Sequence, residues 1–161
     1  MLLALVMALF VLLVVAMVVG WMRRRRRQAY LGRPLAVPAA VGTLVGRFTG
    51  LYVSTTFDGR PLDRVAVPGL GFRSRATIDV TDAGVVLALR GTAPAFIPVS
   101  DIRDVTRAQY TIDRVVETGG LVLLGWSVGG TAVDSYFRLD EPEPLLAALE
   151  SIIPTSSGKK A

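Results

Sequence analysis

The 161-residue chain contains no cysteine and no histidine, and its only lysines are Lys159 and Lys160. Without cysteine there is no disulfide framework, no thiol nucleophile and no Cys-containing zinc or iron–sulfur site. Without histidine the commonest general base and the commonest metal ligand are also missing. No Gly-x-x-x-x-Gly-Lys-Ser/Thr loop is present to cradle phosphates, and Ser–Lys chemistry would have to draw on a lysine in the polar tail. These absences predict a protein that is not an enzyme and carries no cofactor. Two carboxylate pairs remain for acid–base or metal work, Asp101 with Asp104 and Asp79 with Asp82. At strand ends such spacings more often serve turns and caps.

Charge is present but concentrated. There are 18 basic and 13 acidic residues, a formal net charge of +5, and Arg23, Arg24, Arg25, Arg26 and Arg27 are consecutive. The rest of the chain is neutral and offers no basic stripe, which argues against nucleic acid as a partner. Residues 1–22 contain no ionisable side chain. As a helix they extend about 33 Å, close to the thickness of a bilayer's hydrocarbon core. The positive charge follows the apolar run, and bulky Trp21 and Met22 end it, a pattern expected of an uncleaved transmembrane anchor rather than a cleaved signal peptide. The positive-inside rule then places the N-terminus outside, Arg23 to Arg27 in the cytoplasm against anionic lipid, and the C-terminal domain on the cytoplasmic face. Ala4, Ala8, Ala16 and Gly20 recur at multiples of four, a small-residue stripe through which two such helices could pair as a homodimer.

Residues 23–41 form the basic stop and then a linker with Pro34 and Pro38, expected to be an extended tether unless Tyr30, Leu31, Leu35 and Val37 lie on the membrane surface. Period-two patterning begins near residue 42. Leu44 and Phe48 share one phase and Leu51, Val53 and Phe57 the other, which predicts a curved first strand kinked at Gly50. Further strands are expected over Leu62–Val67, Arg73–Val80, Val85–Arg90, Ala95–Val99 and Val105–Tyr110. A hairpin over residues 76–89 turns at Thr81 to Gly84. A second, over residues 121–138, turns at Gly129-Gly130 and sets Trp126 opposite Val133 and Val122 opposite Phe137 on a core face with Leu124. Leu123, Asp134, Tyr136 and Arg138 fall on the opposite face, expected to meet water. Leu145, Leu146, Leu149, Ile152 and Ile153 make one apolar stripe of a helix that Pro154 ends, before a disordered tail at 155–161.

About seven antiparallel strands followed by one amphipathic helix predict an α+β, mainly β domain over residues 42–154, a curved sheet or partly open barrel. The stretches ATIDVTDAGVVLAL (76–89), IPVSDIRDV (97–105) and 121–139, with Trp126 and the Phe137-Arg138 pair, resemble the bacterial membrane-anchored proteins with a pleckstrin-homology-like (PH-like) domain. The resemblance implies a PH-like fold and a binding module that is not a catalyst. It also implies that lipid-binding members use a basic cluster at the first hairpin. Arg73-Ser74-Arg75 is the one triplet of that kind and is expected to lie too late, before a third strand. Arg47, Arg60, Arg64, Arg73 and Arg75 are therefore expected to be solvated or paired, with Arg73 and Arg75 the possible headgroup contacts. The function expected is a single-pass adaptor or scaffold of the bacterial plasma membrane, binding an unidentified membrane or cytoplasmic protein. Alternatives are an accessory subunit of a membrane transport or export complex, and binding of anionic-lipid headgroups.

Overall fold

The computed structural model describes residues 2–27, 31–32, 34–65, 67, 69–70, 72–108 and 121–153, and within the N-terminal helix the side chains of residues 6–20, 22 and 23. Helix α1 runs over Leu2–Arg27. Among the described residues nine strands follow: β1 (Leu35–Ala36), β2 (Leu44–Phe57), β3 (Arg60–Arg64), β4 (Ser74–Thr81), β5 (Gly84–Leu89), β6 (Ala95–Pro98), β7 (Ile102–Ala108), β8 (Leu121–Val128) and β9 (Thr131–Arg138), and then α2 (Glu143–Ile152). Among the described residues no helix is long and apolar enough to cross a membrane. The transmembrane span expected over residues 1–22 is thus not shown among the described residues.

All strand pairings are antiparallel and join one sheet in the order β1-β6-β5-β4-β2-β9-β8-β7, with β3 paired to β2. The long strand β2 turns this sheet on itself. Its first part, Leu44 to Tyr52, pairs with β4, and its last part, Leu51 to Phe57, pairs with β9. The bend lies at a register shift between Tyr52 and Ser54, because an extra residue in one strand of a ladder kinks it and strengthens its twist. The kink expected at Gly50 is thus displaced by a few residues, and Tyr52 rather than Leu51 or Val53 is the buried side chain.

Both predicted hairpins form in the predicted register. Ala76 pairs with Leu89 and Val80 with Val85, leaving Asp82 and Ala83 as the turn. Trp126 pairs with Val133 and Val122 with Phe137. Gly129 and Gly130 both have positive φ, at 56° and 79°, as a two-residue turn between right-twisted strands demands. Ala76, Ile78, Val80, Val85, Leu87 and Leu89 point into the core with Val122, Leu124, Trp126, Val133 and Phe137. Helix α2 closes it, packing against β2, β4 and β7. Leu145, Leu146 and Leu149 are buried, each contributing about 1.5–3 kcal/mol of apolar burial. Pro154 and the 155–161 tail lie outside the described residues.

Three local expectations change. Part of the linker belongs to the domain: Leu31 is 0% exposed within the core, and Leu35 and Ala36 pair with Phe96 and Ala95. Strand β3 starts and ends earlier than expected, and Val65 and Val67 enter the core from the loop beyond it. Strand β7 begins at Ile102 and is followed to Ala108, residues 109–110 lying outside the described set.

The core also holds a line of polar groups. The Trp126 indole Nε1 donates to Ser135 Oγ at 2.9 Å, Ser135 Oγ is 2.7 Å from Thr55 Oγ1, Thr55 Oγ1 is 2.8 Å from the Tyr52 hydroxyl, and that hydroxyl donates to the Leu70 carbonyl at 2.6 Å. Tyr52 has one hydroxyl proton and the carbonyl can only accept, so Thr55 donates to Tyr52 and Ser135 to Thr55. Burial in this setting pushes the Tyr52 hydroxyl pKa up to about 12.

Candidate functional site

Leu51 sits at the crossing of the two parts of β2. It pairs with Arg75 of β4 on one side and Arg138 of β9 on the other. Residues directly opposite one another in an antiparallel ladder project to the same face, so Arg75, Leu51 and Arg138 share one surface. Arg90 continues the row, its N–H donating to the Arg75 carbonyl at 3.0 Å just past the end of β5. Three arginines therefore cross four adjacent strands, all three exposed at the residue level. They line an open groove of about 750 Å³ whose remaining walls include Thr49, Thr77, Ala88, Leu139 and Asp140. Gly50 is needed there because a Cβ would stand 2.7 Å from the Arg138 carbonyl oxygen and 2.9 Å from Leu139 Cγ. Among the described residues none of the three arginines has an ion-pair partner.

A second polar site lies on the outer face of β8 and β9. Asp104, Gly125 and Asp134 are in register across β7, β8 and β9. The space left by the missing side chain of Gly125 is filled first by the Asp104 carboxylate and beside it by Arg103, whose Nη2 would stand 3.2 Å from a Cβ there. Arg103 pairs with Asp134 at 3.2 Å and with Asp58 at 3.2 Å. Of the residues expected to meet water, Asp134 and Tyr136 are buried, at 7% and 6% exposed, Leu123 is half-buried and Arg138 is exposed. Burial first, and then the Asp58 charge, raise the Asp134 carboxyl above its ordinary range, against the lowering effects of the Gly59 N–H and of Arg103. An apolar groove of about 490 Å³ opens elsewhere between Pro34, Leu70, Leu87, Leu89 and Pro94.

The remaining expected residues separate clearly. Arg75 lines the arginine groove, whereas Arg73, exposed just before β4, does not. The triplet Arg73-Ser74-Arg75 nevertheless opens the strand that pairs directly with β2, because the five-residue β3 lies off the main path. In chain order it still falls before the third strand counted from β2, as expected. Arg47 is committed to Asp79 through a bidentate contact at 2.6 and 2.9 Å, Arg60 is exposed on β3, Arg64 stands on the same strand, and Arg107 pairs with Glu143. Asp82 accepts the Thr43 N–H at 2.8 Å, so both members of the Asp79/Asp82 pair hold structure together. Asp101 lies in a single 3-10 turn and Asp104 beside Gly125. Among the described residues no group of three or more acidic side chains is placed to hold a metal ion. Trp126 and Phe137 are core residues, 2% and 1% exposed. Arg23 to Arg27 end α1, with Arg23 exposed. Sequence reading missed Arg90 and Arg138 as site residues, although the hairpin register that pairs Ala76 with Leu89 already sets Arg75 opposite Arg90.

No curated protein matches the chain. The model of the family described as Bacterial PH domain-like matches residues 31–152, beginning at the buried Leu31 and ending at the last residue of α2. The buried Leu31, the bent antiparallel sheet and the closing helix all fall within that match, and the chain belongs to the Bacterial PH domain-like family.

Proposed function

We propose that this chain is a single-pass, membrane-anchored adaptor that presents its PH-like domain on the cytoplasmic face as a non-catalytic binding module. The observation that carries the reading is the junction between helix and domain. An uncharged run of 22 residues is followed by five arginines that end α1, and Leu31, only four positions after Arg27, is fully buried in the core. Four extended residues span at most about 14 Å, so a domain attached in this way rides close to whatever surface holds the helix. Uncharged length and flanking arginines support a bilayer as that surface, with the arginines on the cytoplasmic side. Binding rather than catalysis fits a chain without histidine or cysteine, whose Asp79 and Asp82 are engaged in structural contacts.

Alkaline carbonate extraction of bacterial membranes, followed by protease treatment of intact spheroplasts, tests the anchor and its direction. The chain should stay in the membrane fraction with its domain protected. Release by carbonate, or digestion of the domain from outside, overturns the reading. The uncommitted row of Arg75, Arg90 and Arg138 also favours an anionic-lipid reading, which predicts flotation of the protein with anionic but not neutral vesicles.

A further inference from the structure

We infer that the groove across β5, β4, β2 and β9 is a docking surface for an extended acidic segment of a partner protein, read by Arg75, Arg90 and Arg138. The inference rests on the domain being a binding module and does not depend on how it is anchored. Strands in a sheet lie about 4.8 Å apart, so the row from Arg90 to Arg138 crosses roughly 15 Å. That is a line of charge rather than a point. Alternate side chains of an extended peptide recur about every 7 Å on one face, so three acids at i, i+2 and i+4 cover the same length. The groove is mixed in character: Leu51, Ala88 and Leu139 lie between or beside the guanidinium groups, which suits a segment alternating acidic and apolar residues. Asp140 stands in the same groove and repels a uniform polyanion there, while a peptide can place a neutral residue opposite it. Leu51 is already paired on both sides, so no strand edge is free at this point and recognition falls to the side chains. Arg47, Arg103 and Arg107 are neutralised by internal acids and the three groove arginines are not, among the described residues. Charge-assisted guanidinium–carboxylate pairs then supply both attraction and orientation.

The test uses the full chain in neutral-detergent micelles and a fluorescein-labelled decapeptide of alternating Glu and Val, with a Lys/Val decapeptide as control. Fluorescence anisotropy should show saturable, salt-sensitive binding of the acidic peptide alone. Arg75→Gln and Arg138→Gln should each weaken it by about tenfold, the scale of one charge-assisted pair, with the unfolding midpoint unchanged. Arg60→Gln and Arg73→Gln remove the same charge outside the groove and should change binding by less than about twofold. Equal losses in all four variants, or no peptide binding, overturn the inference. Binding of phosphatidylserine vesicles or inorganic pyrophosphate that is lost in Arg75→Gln and Arg138→Gln, while the Glu/Val peptide binds no better than its Lys/Val control, assigns the groove to phosphate and also overturns it. Carbonate extraction of the same variants reads the anchor separately: membrane retention without peptide binding removes the groove assignment and leaves the anchored module standing.

Discussion

The indole of Trp126 donates to Ser135 Oγ at 2.9 Å, the first link of a buried chain that ends on the backbone carbonyl of Leu70. A sheet core built mainly from Val, Leu and Ile thus contains four side chains whose polar groups must satisfy one another. The chain joins β8, β9 and β2 to the loop that carries Val65, Val67 and Leu70 into the core. One hydroxyl thus ties the loop to the sheet, beside the Val65 N–H that donates to the Thr55 carbonyl at 2.9 Å and the loop's buried apolar side chains.

Replacing that hydroxyl, Tyr52→Phe, leaves the Leu70 carbonyl and the Thr55 proton without partners. Loss of a buried hydrogen-bond partner costs about 1–3 kcal/mol. Urea unfolding should show a lower midpoint with an unchanged slope; an unaltered midpoint would mean the loop is held by its apolar contacts and the Val65 N–H bond to Thr55 without this hydroxyl.

Leu31→Ala should destabilise the domain by about 2–5 kcal/mol, as for other fully buried leucines. Leu35→Ala, at a side chain 54% exposed, should stay within about 0.5 kcal/mol. Equal, small effects on the denaturation midpoint would show that the 31–36 segment does not belong to the cooperative unit.

Asp134 gives a pH dependence of defined sign. Burial raises its folded pKa above the ordinary 3.8, so between the unfolded and folded values the native state binds more protons. Stability from this group is then present below the unfolded pKa and is lost as pH rises through the folded one. Asp134→Asn, which can still accept from Arg103, should be more stable than the native chain near pH 7, and the gain should vanish on acidification below the ordinary aspartate range. Chemical denaturation of both proteins across that range measures the difference. A variant that is less stable near neutrality and recovers in acid would show that attraction to Arg103 outweighs burial.

Gly50→Ala places a methyl group against the Arg138 carbonyl and Leu139. Overpacking of this kind costs about 1–3 kcal/mol and forces β9 away from β2 at the base of the arginine row. Amide hydrogen exchange should speed up in β9 near Arg138 and remain unchanged in the β4–β5 turn. Uniform protection across both would show that the backbone absorbs the methyl without strain.

Local elements were legible from residue pattern. Gly129-Gly130 determined a hairpin register because two consecutive positive φ angles select one turn geometry, and that register makes Trp126 and Phe137 core residues. The stripe from Leu145 to Ile153 likewise placed α2, since a 3.6-residue period leaves only one apolar face to bury. The pattern failed where tertiary contacts override alternation. Tyr52 is buried because it continues the phase of Phe48, and the register shift that brings Thr55 and Phe57 inward comes only after it, between Tyr52 and Ser54; Asp134 is buried beside Arg103, which reaches it from a strand that is not its neighbour.

The arginine row marks the same boundary between what pattern encodes and what folding decides. By itself the sequence determined two hairpins, a closing helix, an uncharged N-terminal run and the five arginines after it, all set by the spacing of neighbouring residues. It also set Arg75 opposite Arg90, since a single tight turn fixes that pairing. Only the tertiary structure brought Arg138 beside them and made Leu31 part of the core. Those contacts depend on the order of strands within the sheet, β5-β4-β2-β9, and on a chain segment laid along β6. Strand order arises from long-range pairing that no local period records, because a residue's alternation says which face it occupies and not which strand lies beside it.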